Sequence, residues 1–585
     1  MNRPSLRRAL ALLLAAALTL SLFSCARLTP SEKFRELLEE LPALAVSGDS
    51  LSVNFLFEYP ENFGIEPLPY EHDFSTAEDY ADGAEDLQDL LDRLHGIPLE
   101  KLTEEEQLHY RVIEDYFTRA LRLYDDYYYL DNAYLGAFLG YQAQLPLLLT
   151  ELHFNSASEI DAYFHLLETT GDAFRQYADY EAERIAAGYG LCQDMLDGAI
   201  GQCDTLVEQG CDFLADAFNA QIDAADFLAD EVKAATRERH DALLAESFLP
   251  AYAQLSRDLG ALAGSPEPLG LAHFEGGQDY YEALVQSNVG TDLTISGIKA
   301  KLMTAIEADM LALQALLIAH PELEDLDYGT VGSEFCDFTT AEETVAYLAR
   351  ATAEDFPALP QLNYTVRPVP EALQDNFSPA AYVTDTIDSP LSSPQSIYLN
   401  GDFTPDLFPT IAHEGYPGHM YQGIYYKSLQ APAVRYLINY AGYSEGWATY
   451  VEHYAPQYAP NQALTNQLYT LNDHLSLLVT ALFDVGIHYD GWTLEQLQEQ
   501  ASYFYGEIEE EDAREMYLLI LESPGNYLNY CLGGLLFGQL RARAEEALGD
   551  GFSPAEFHKV ILDAGPASFP ILSSLVDRYI ENARG

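Results

Sequence analysis

The stretch "IAHEGYPGHMYQ", residues 411 to 422, cannot run as one continuous helix. Pro417 has no N–H to give to the carbonyl of His413, four residues earlier, and its ring collides with the preceding turn. Gly418, next to it, opens backbone angles closed to other residues. The two histidines, His413 and His419, stand six apart. In the short metal-binding signature His-Glu-x-x-His the second histidine follows the first by about four residues, on one helix face. At about 100° per residue, six positions leave it roughly 120° away. A straight helix therefore fails to bring the pair together. A break or widened turn at Pro417–Gly418, of a kind common at functional sites, would swing His419 back beside His413.

A catalytic metal needs a third protein ligand and an open position. "YSEGWATYVEHY", residues 443 to 454, offers Glu445 and Glu452, seven apart and so on one helix face, with small Ala448 and Thr449 between them. Glu445 follows His419 by 26 residues, room for the rest of one helix, a turn and an antiparallel return. On pattern alone these glutamates also fit a solvated acidic face, and the histidines also fit two unrelated positions.

The acidity is pronounced: 29 Lys and Arg face 93 Asp and Glu, a formal net charge of −64. Such a surface repels polyanions, which argues against nucleic acid as a partner and against anionic headgroups. Hydrophobic residues make up 48%, too many for a disordered acidic chain. The chain opens with Arg3, Arg7 and Arg8, an apolar stretch, and Leu22-Phe23-Ser24-Cys25. That is the layout of a signal peptide, residues 1–25, ending in a bacterial lipobox whose Cys25 takes the lipid; an ordinary signal peptide with a chance cysteine is the plainer reading. Two acyl chains would hold the protein at a membrane that its charge disfavours, which predicts a lipid-anchored, extracytoplasmic location. Outside the cell a pair among Cys192, Cys203 and Cys211 could form a disulfide, while Cys336 and Cys531 complete an odd count.

Past a tether and first helix at 26–50, the pattern is helical. Ser156 and Glu159 form a capping-box pair ahead of Ile160, Tyr163, Phe164 and Leu167 at one-face spacing. Thr103 opens a similar helix, and Ser553, Pro554 and Glu556 open another that stops at Gly565-Pro566. Strand signals are few, the clearest being "AAYVTD" and "SIYLNG" between residues 380 and 401. The expectation is a mainly α, large two-lobed fold with a few short strands flanking a cleft. Its catalytic domain would span 51–585, with lobes near 51–290 and 291–585.

"HEGYPGH" followed by "EGWATYVE" resembles the large bacterial family of unknown function DUF885, whose members are grouped with zinc metallopeptidases and resemble helical gluzincins. "FLGYQAQLPLLLTELHFNSASEIDAYFHLLE", "DVGIHYDGW" (484 to 492), "SPGNYLNYCLGG" and "FHKVILDAGPASFPIL" extend the likeness over nearly the whole mature chain. The resemblance implies one Zn²⁺ held by His413, His419 and Glu445, with Glu414 as general base. Such a site hydrolyses peptides, or other small amides or esters, through activated water. Glu452 would orient a ligating histidine or tune the charge, or serve as a direct ligand itself.

Three further positions are candidates. Tyr530 could donate to an oxyanion, or be one more core aromatic among 41 tyrosines. His488 could do the same with Asp484 fixing its tautomer, or be a satisfied buried histidine. Asn400 could bond a peptide laid along an edge strand, or serve a turn. The chain departs from the family pattern at Asn526 and lacks arginines just upstream of the "DVGIH" and "SPGNY" segments, so it lacks the natural partner of a free carboxylate there. A non-catalytic peptide- or solute-binding lipoprotein and an acidic scaffold are the alternatives from other classes.

Overall fold

The computed structural model describes residues 28–584 except 47–48, 67–68, 125–126, 132, 324–333, 370–373 and 375–377. The lipobox and Cys25 lie outside the described residues. The fold is mainly helical, with one small sheet among the described residues. The elements that matter for the site are, in chain order, α1 (Glu104–Arg122), α2 (Ala157–Ala187), α3 (Gly277–Val289) and α4 (Ile295–Ala319). Then come β1 (Tyr364–Pro368), β2 (Ala380–Val383) and β3 (Gln395–Leu399). After the sheet follow α5 (Phe408–Glu414), α6 (His419–Ser428), α7 (Ala441–Tyr454) and α8 (Leu464–Val485). The last are α9 (Glu510–Glu522), α10 (Asn526–Leu548) and α11 (Pro554–Ala564).

The local signals act as their chemistry requires. Thr103 and Glu106 close a reciprocal capping box at the start of α1. Ser553 accepts from the Glu556 amide, with Pro554 in the first turn of α11. Ser156 caps α2 through the Glu159 amide, but the Glu159 carboxylate accepts from Asn155 rather than closing a box. That helix runs past Thr169 and Gly171 to Ala187, because its apolar face stays buried through Tyr177 and Tyr180.

Among the described residues, beside two small satellite clusters around Phe57 and Leu468, two large hydrophobic cores form. One gathers residues between Leu51 and Leu259, including the buried face of α2. The larger combines Phe34–Ile113 positions with residues from Leu271 to Ile580, including α5, α7, α8 and α10. The helix Pro30–Ala45 and α1 thus join the core of the second half, across the expected lobe division near residue 290, while Leu51 and Tyr70 join the other core. Helix α4 is long and apolar enough to cross a membrane by length and composition; it packs along α8 and leaves Met310, Leu311 and Ile318 exposed.

The sheet order is β1-β3-β2, with β1 parallel and β2 antiparallel to β3. β3 is therefore the central strand. Asn400, at its end, does not serve an edge: its side-chain amide donates to the carbonyl of Gln374 at 2.8 Å, and its backbone N–H bonds Pro379. The edge beside the site is β2. All five cysteines among the described residues are buried and unbridged, so the pairing considered among Cys192, Cys203 and Cys211 does not occur.

Candidate metal centre

Helix α5 ends at Glu414 and α6 begins at His419, with Gly415, Tyr416, Pro417 and Gly418 forming the break. The chain folds back so sharply that a Cβ at Gly418 would lie 1.7 Å from the His413 carbonyl oxygen, which only glycine tolerates. The indole N–H of Trp447, fully buried on α7, donates to the Pro417 carbonyl at 3.0 Å and pins the break to the helix that carries the glutamates.

The break brings the His413 and His419 rings to 4.8 Å between centroids, at 79°. Glu445 Oε2 lies 3.2 Å from His419 Nε2 and 3.7 Å from His413 Nε2. One ligand atom from each of the three residues falls within 4.8 Å of the others. On its far side, His413 Nδ1 is 2.9 Å from Glu452 Oε2, so Glu452 backs the ring rather than facing the centre, and His419 Nδ1 is 3.4 Å from the Ser444 hydroxyl. Tyr530, near the start of α10, lies against His413 with ring centroids 6.3 Å apart.

Glu414 is fixed by β2, whose Tyr382 backbone N–H donates to Oε2 at 2.7 Å, while Oε1 lies 3.9 Å from His413 Nε2. Burial raises the pKa of Glu414, against the pull of the two imidazoles and the Tyr382 amide. Burial also opposes ionisation of Glu445, but the imidazoles beside it draw its pKa down to about 2. Burial disfavours the charged form of His413, yet the carboxylates of Glu452, Glu445 and Glu414 outweigh it and hold its pKa well up. The Tyr530 hydroxyl is pushed up by burial and by Glu445 and Glu414.

This donor set fits a divalent cation. Two imidazole nitrogens and a carboxylate converge, the first histidine has the carboxylate partner that ligating histidines commonly show, and zinc takes such N and O donors at about 2.0–2.2 Å. The carboxylates of Glu414, Glu445 and Glu452 gather around these rings, and a bound cation would compensate their partly buried charge.

The structure does not bring His488 and Asp484 into this arrangement. His488 is buried with both ring nitrogens engaged by backbone: Nδ1 accepts from the Leu271 N–H at 3.4 Å and Nε2 donates to the Ile520 carbonyl at 3.0 Å. Asp484 makes no hydrogen bond to it, and instead accepts from the Tyr281 hydroxyl at 2.7 Å and the Gly525 N–H at 3.0 Å. Tyr382, Ser444 and Trp447 are contacts that pattern reasoning missed; only Trp447, inside "EGWATY", carried a visible signal.

The fold and site define a large helical protein in which two histidines and one glutamate converge as a candidate metal site beside a small sheet. Residues 71–576 match the family described as "Bacterial protein of unknown function (DUF885)", and the chain belongs to that family. No curated protein matches it. Among solved structures it is similar to a "putative lipoprotein from Colwellia psychrerythraea", with a TM-score of 0.81 at 20% identity, covering 95% of this chain and 100% of that one. It is also similar to a "putative lipoprotein of unknown function from Shewanella oneidensis", with a TM-score of 0.61 at 17% identity, covering 94% and 100%. At these identities the likeness is one of fold.

Proposed function

We propose that the protein is a lipid-anchored, extracytoplasmic zinc hydrolase that cleaves peptide bonds. The observation that carries this reading is the convergence of His413, His419 and Glu445 within 4.8 Å, with Glu414 held beside them. The anchor rests on the lipobox ending at Cys25, and the two solved relatives described as putative lipoproteins agree with it.

Zinc held by those three side chains would supply Lewis acidity, enough to bring a water's pKa to about 7 and to polarise a carbonyl. The chain's own residues do the rest. Glu414 is the base: Oε2 is tied to the Tyr382 amide, which leaves Oε1 to take the proton as water attacks and to return it to the leaving amine. Its burial suits it to hold that proton. The Tyr530 O–H donates to the oxyanion that forms on the scissile carbonyl. Glu452 holds the His413 ring so that Nε2 faces the metal. The edge strand β2, joined to Glu414 through Tyr382, is where an extended peptide would lie beside the base.

The test begins with metal content of the soluble protein from residue 26 onward. One zinc per chain is expected, lost in His413→Ala and Glu445→Ala. Glu414→Gln should keep its zinc and lose hydrolysis of a peptide library by about 10²-fold or more. Zinc with no turnover of any amide or ester would replace the hydrolase with a binding protein, and absence of zinc after incubation with the metal would refute the centre.

A further inference from the structure

Helix α9 ends at Glu522, just before the Pro524–Gly525 turn from which α10 starts, and Tyr530 stands one turn into α10. The Glu522 side chain is half-buried. It reaches across to the loop 136–140, where Oε2 accepts the Phe138 N–H at 2.8 Å and Oε1 the Leu139 N–H at 2.6 Å. Burial raises the carboxyl's pKa, and the amides of Leu139, Phe138, Ala137 and Gly140 work against that by favouring the anion. Successive backbone N–H groups turned onto one carboxylate form an anion nest.

The nest is built for this occupant. A Cβ at Gly136 would lie 2.0 Å from Glu522 Oε1, and one at Gly140 would lie 2.3 Å from the Gly136 nitrogen. Gln142 closes the loop from behind, donating to the Gly136 carbonyl at 2.5 Å and to Gln202 at 2.7 Å. Leu135 and Leu145, flanking the loop, belong to one hydrophobic core; Tyr517 and Ile520 of α9 belong to the other. The carboxylate therefore ties the two cores together.

The same turn is fastened from its other side. The Ile520 carbonyl accepts from His488 Nε2, and the Gly525 N–H donates to Asp484. Three segments distinctive in the sequence, "FLGYQ", "DVGIH" and "SPGNY", thus meet at residues 520–525, and none of them supplies a metal ligand. What they hold in common is the origin of the helix that carries Tyr530 to the ring of His413.

We infer that Glu522 is a positioning residue: by docking in the amide nest of loop 136–140 it fixes the 520–525 turn, and through it the place of the Tyr530 hydroxyl at the metal centre. The kinetic part of this inference rests on the hydrolase reading above; the structural part does not.

The test uses Glu522→Ala, Glu522→Gln, Tyr530→Phe and the Ala/Phe double variant of the full soluble protein. Hydrogen exchange of Glu522→Ala should rise at amides 137–140 and also at 525–531, with zinc content unchanged. Its kcat should fall on the order of 10-fold at constant KM, because a small misplacement of a catalytic group is costly. Glu522→Gln, which keeps one acceptor oxygen, should recover part of both effects. In the Tyr530→Phe background, Glu522→Ala should lower kcat no further. Extra exchange confined to 137–140, or effects on kcat that multiply in the double variant, would overturn the inference. If the wild type hydrolyses nothing, the hydrolase reading fails by itself and the spread of exchange into 525–531 decides the positioning role.

Discussion

Helices α7 and α10 touch backbone to backbone, and that contact sets where Glu445 and Tyr530 stand. Gly446 follows Glu445 directly, and a Cβ added there would lie 2.5 Å from both the carbonyl carbon and the Cα of Gly533 and 3.0 Å from the Gly534 nitrogen. Ordinary contact begins at 3.4 Å, so Gly446→Ala forces the two helices apart by 3.4 − 2.5 = 0.9 Å. No side chain can turn away to relieve it, which places the cost near the upper end of overpacking, about 3 kcal/mol. Alanine returns about 1 kcal/mol of helix propensity, leaving a net loss of about 2 kcal/mol. Gly538→Ala, on the same α10 but with nothing within 4 Å of its added Cβ, isolates the propensity gain. Paired thermal and urea denaturation should show Gly446→Ala less stable than wild type and Gly538→Ala up to about 1 kcal/mol more stable. Because the displaced residue adjoins Glu445, zinc dissociation from Gly446→Ala should also be faster. Equal stability for the two alanine variants would mean that the helices do not approach this closely, and the argument for how the site is assembled would fall with it.

Glu452→Ala should keep the fold and weaken zinc binding by about 10–100-fold, read by chelator competition, because the His413 ring loses the partner that orients it. Tyr530→Phe should lower kcat by about 10²-fold with zinc content unchanged, the usual loss for one oxyanion donor. Burial lowers the pKa of His240 from its ordinary value to about 4. The unfolded chain therefore binds a proton there between about pH 6.5 and 4 that the folded protein refuses, so this contribution to stability is present above pH 6.5 and is lost as pH falls through that window. His72, His488 and His558 act in the same sense, and Asp484, raised by burial to about 7, acts in the opposite one. Urea midpoints of His240→Gln should accordingly decline less than those of wild type between pH 7 and 4.5; parallel curves would show that the ring titrates freely in the folded state.

What was legible in the sequence was local. A proline four residues after His413 dictates a helix break whatever surrounds it, since a missing N–H is a property of one residue. Thr103 and Ser553 cap their helices because side chain and amide lie within one turn. The seven-residue spacing of Glu445 and Glu452 puts both on the His413 side of α7, although one meets Nε2 and the other Nδ1. Only tertiary structure decided the rest, because those outcomes depend on which backbone arrives from far along the chain. Asn400 lost its expected edge because β1 and β2 pair on either side of β3. His488 reads like a catalytic histidine in its motif, yet Leu271 and Ile520, 217 and 32 residues away, claim its two nitrogens. Glu522 looked like one more charge among 93 acidic residues, and became an inter-core tie when a loop 383 or more residues distant turned its amides onto it. Spacing along a chain fixes what one helical turn can reach; burial of a polar group is settled by the partner that long-range packing supplies.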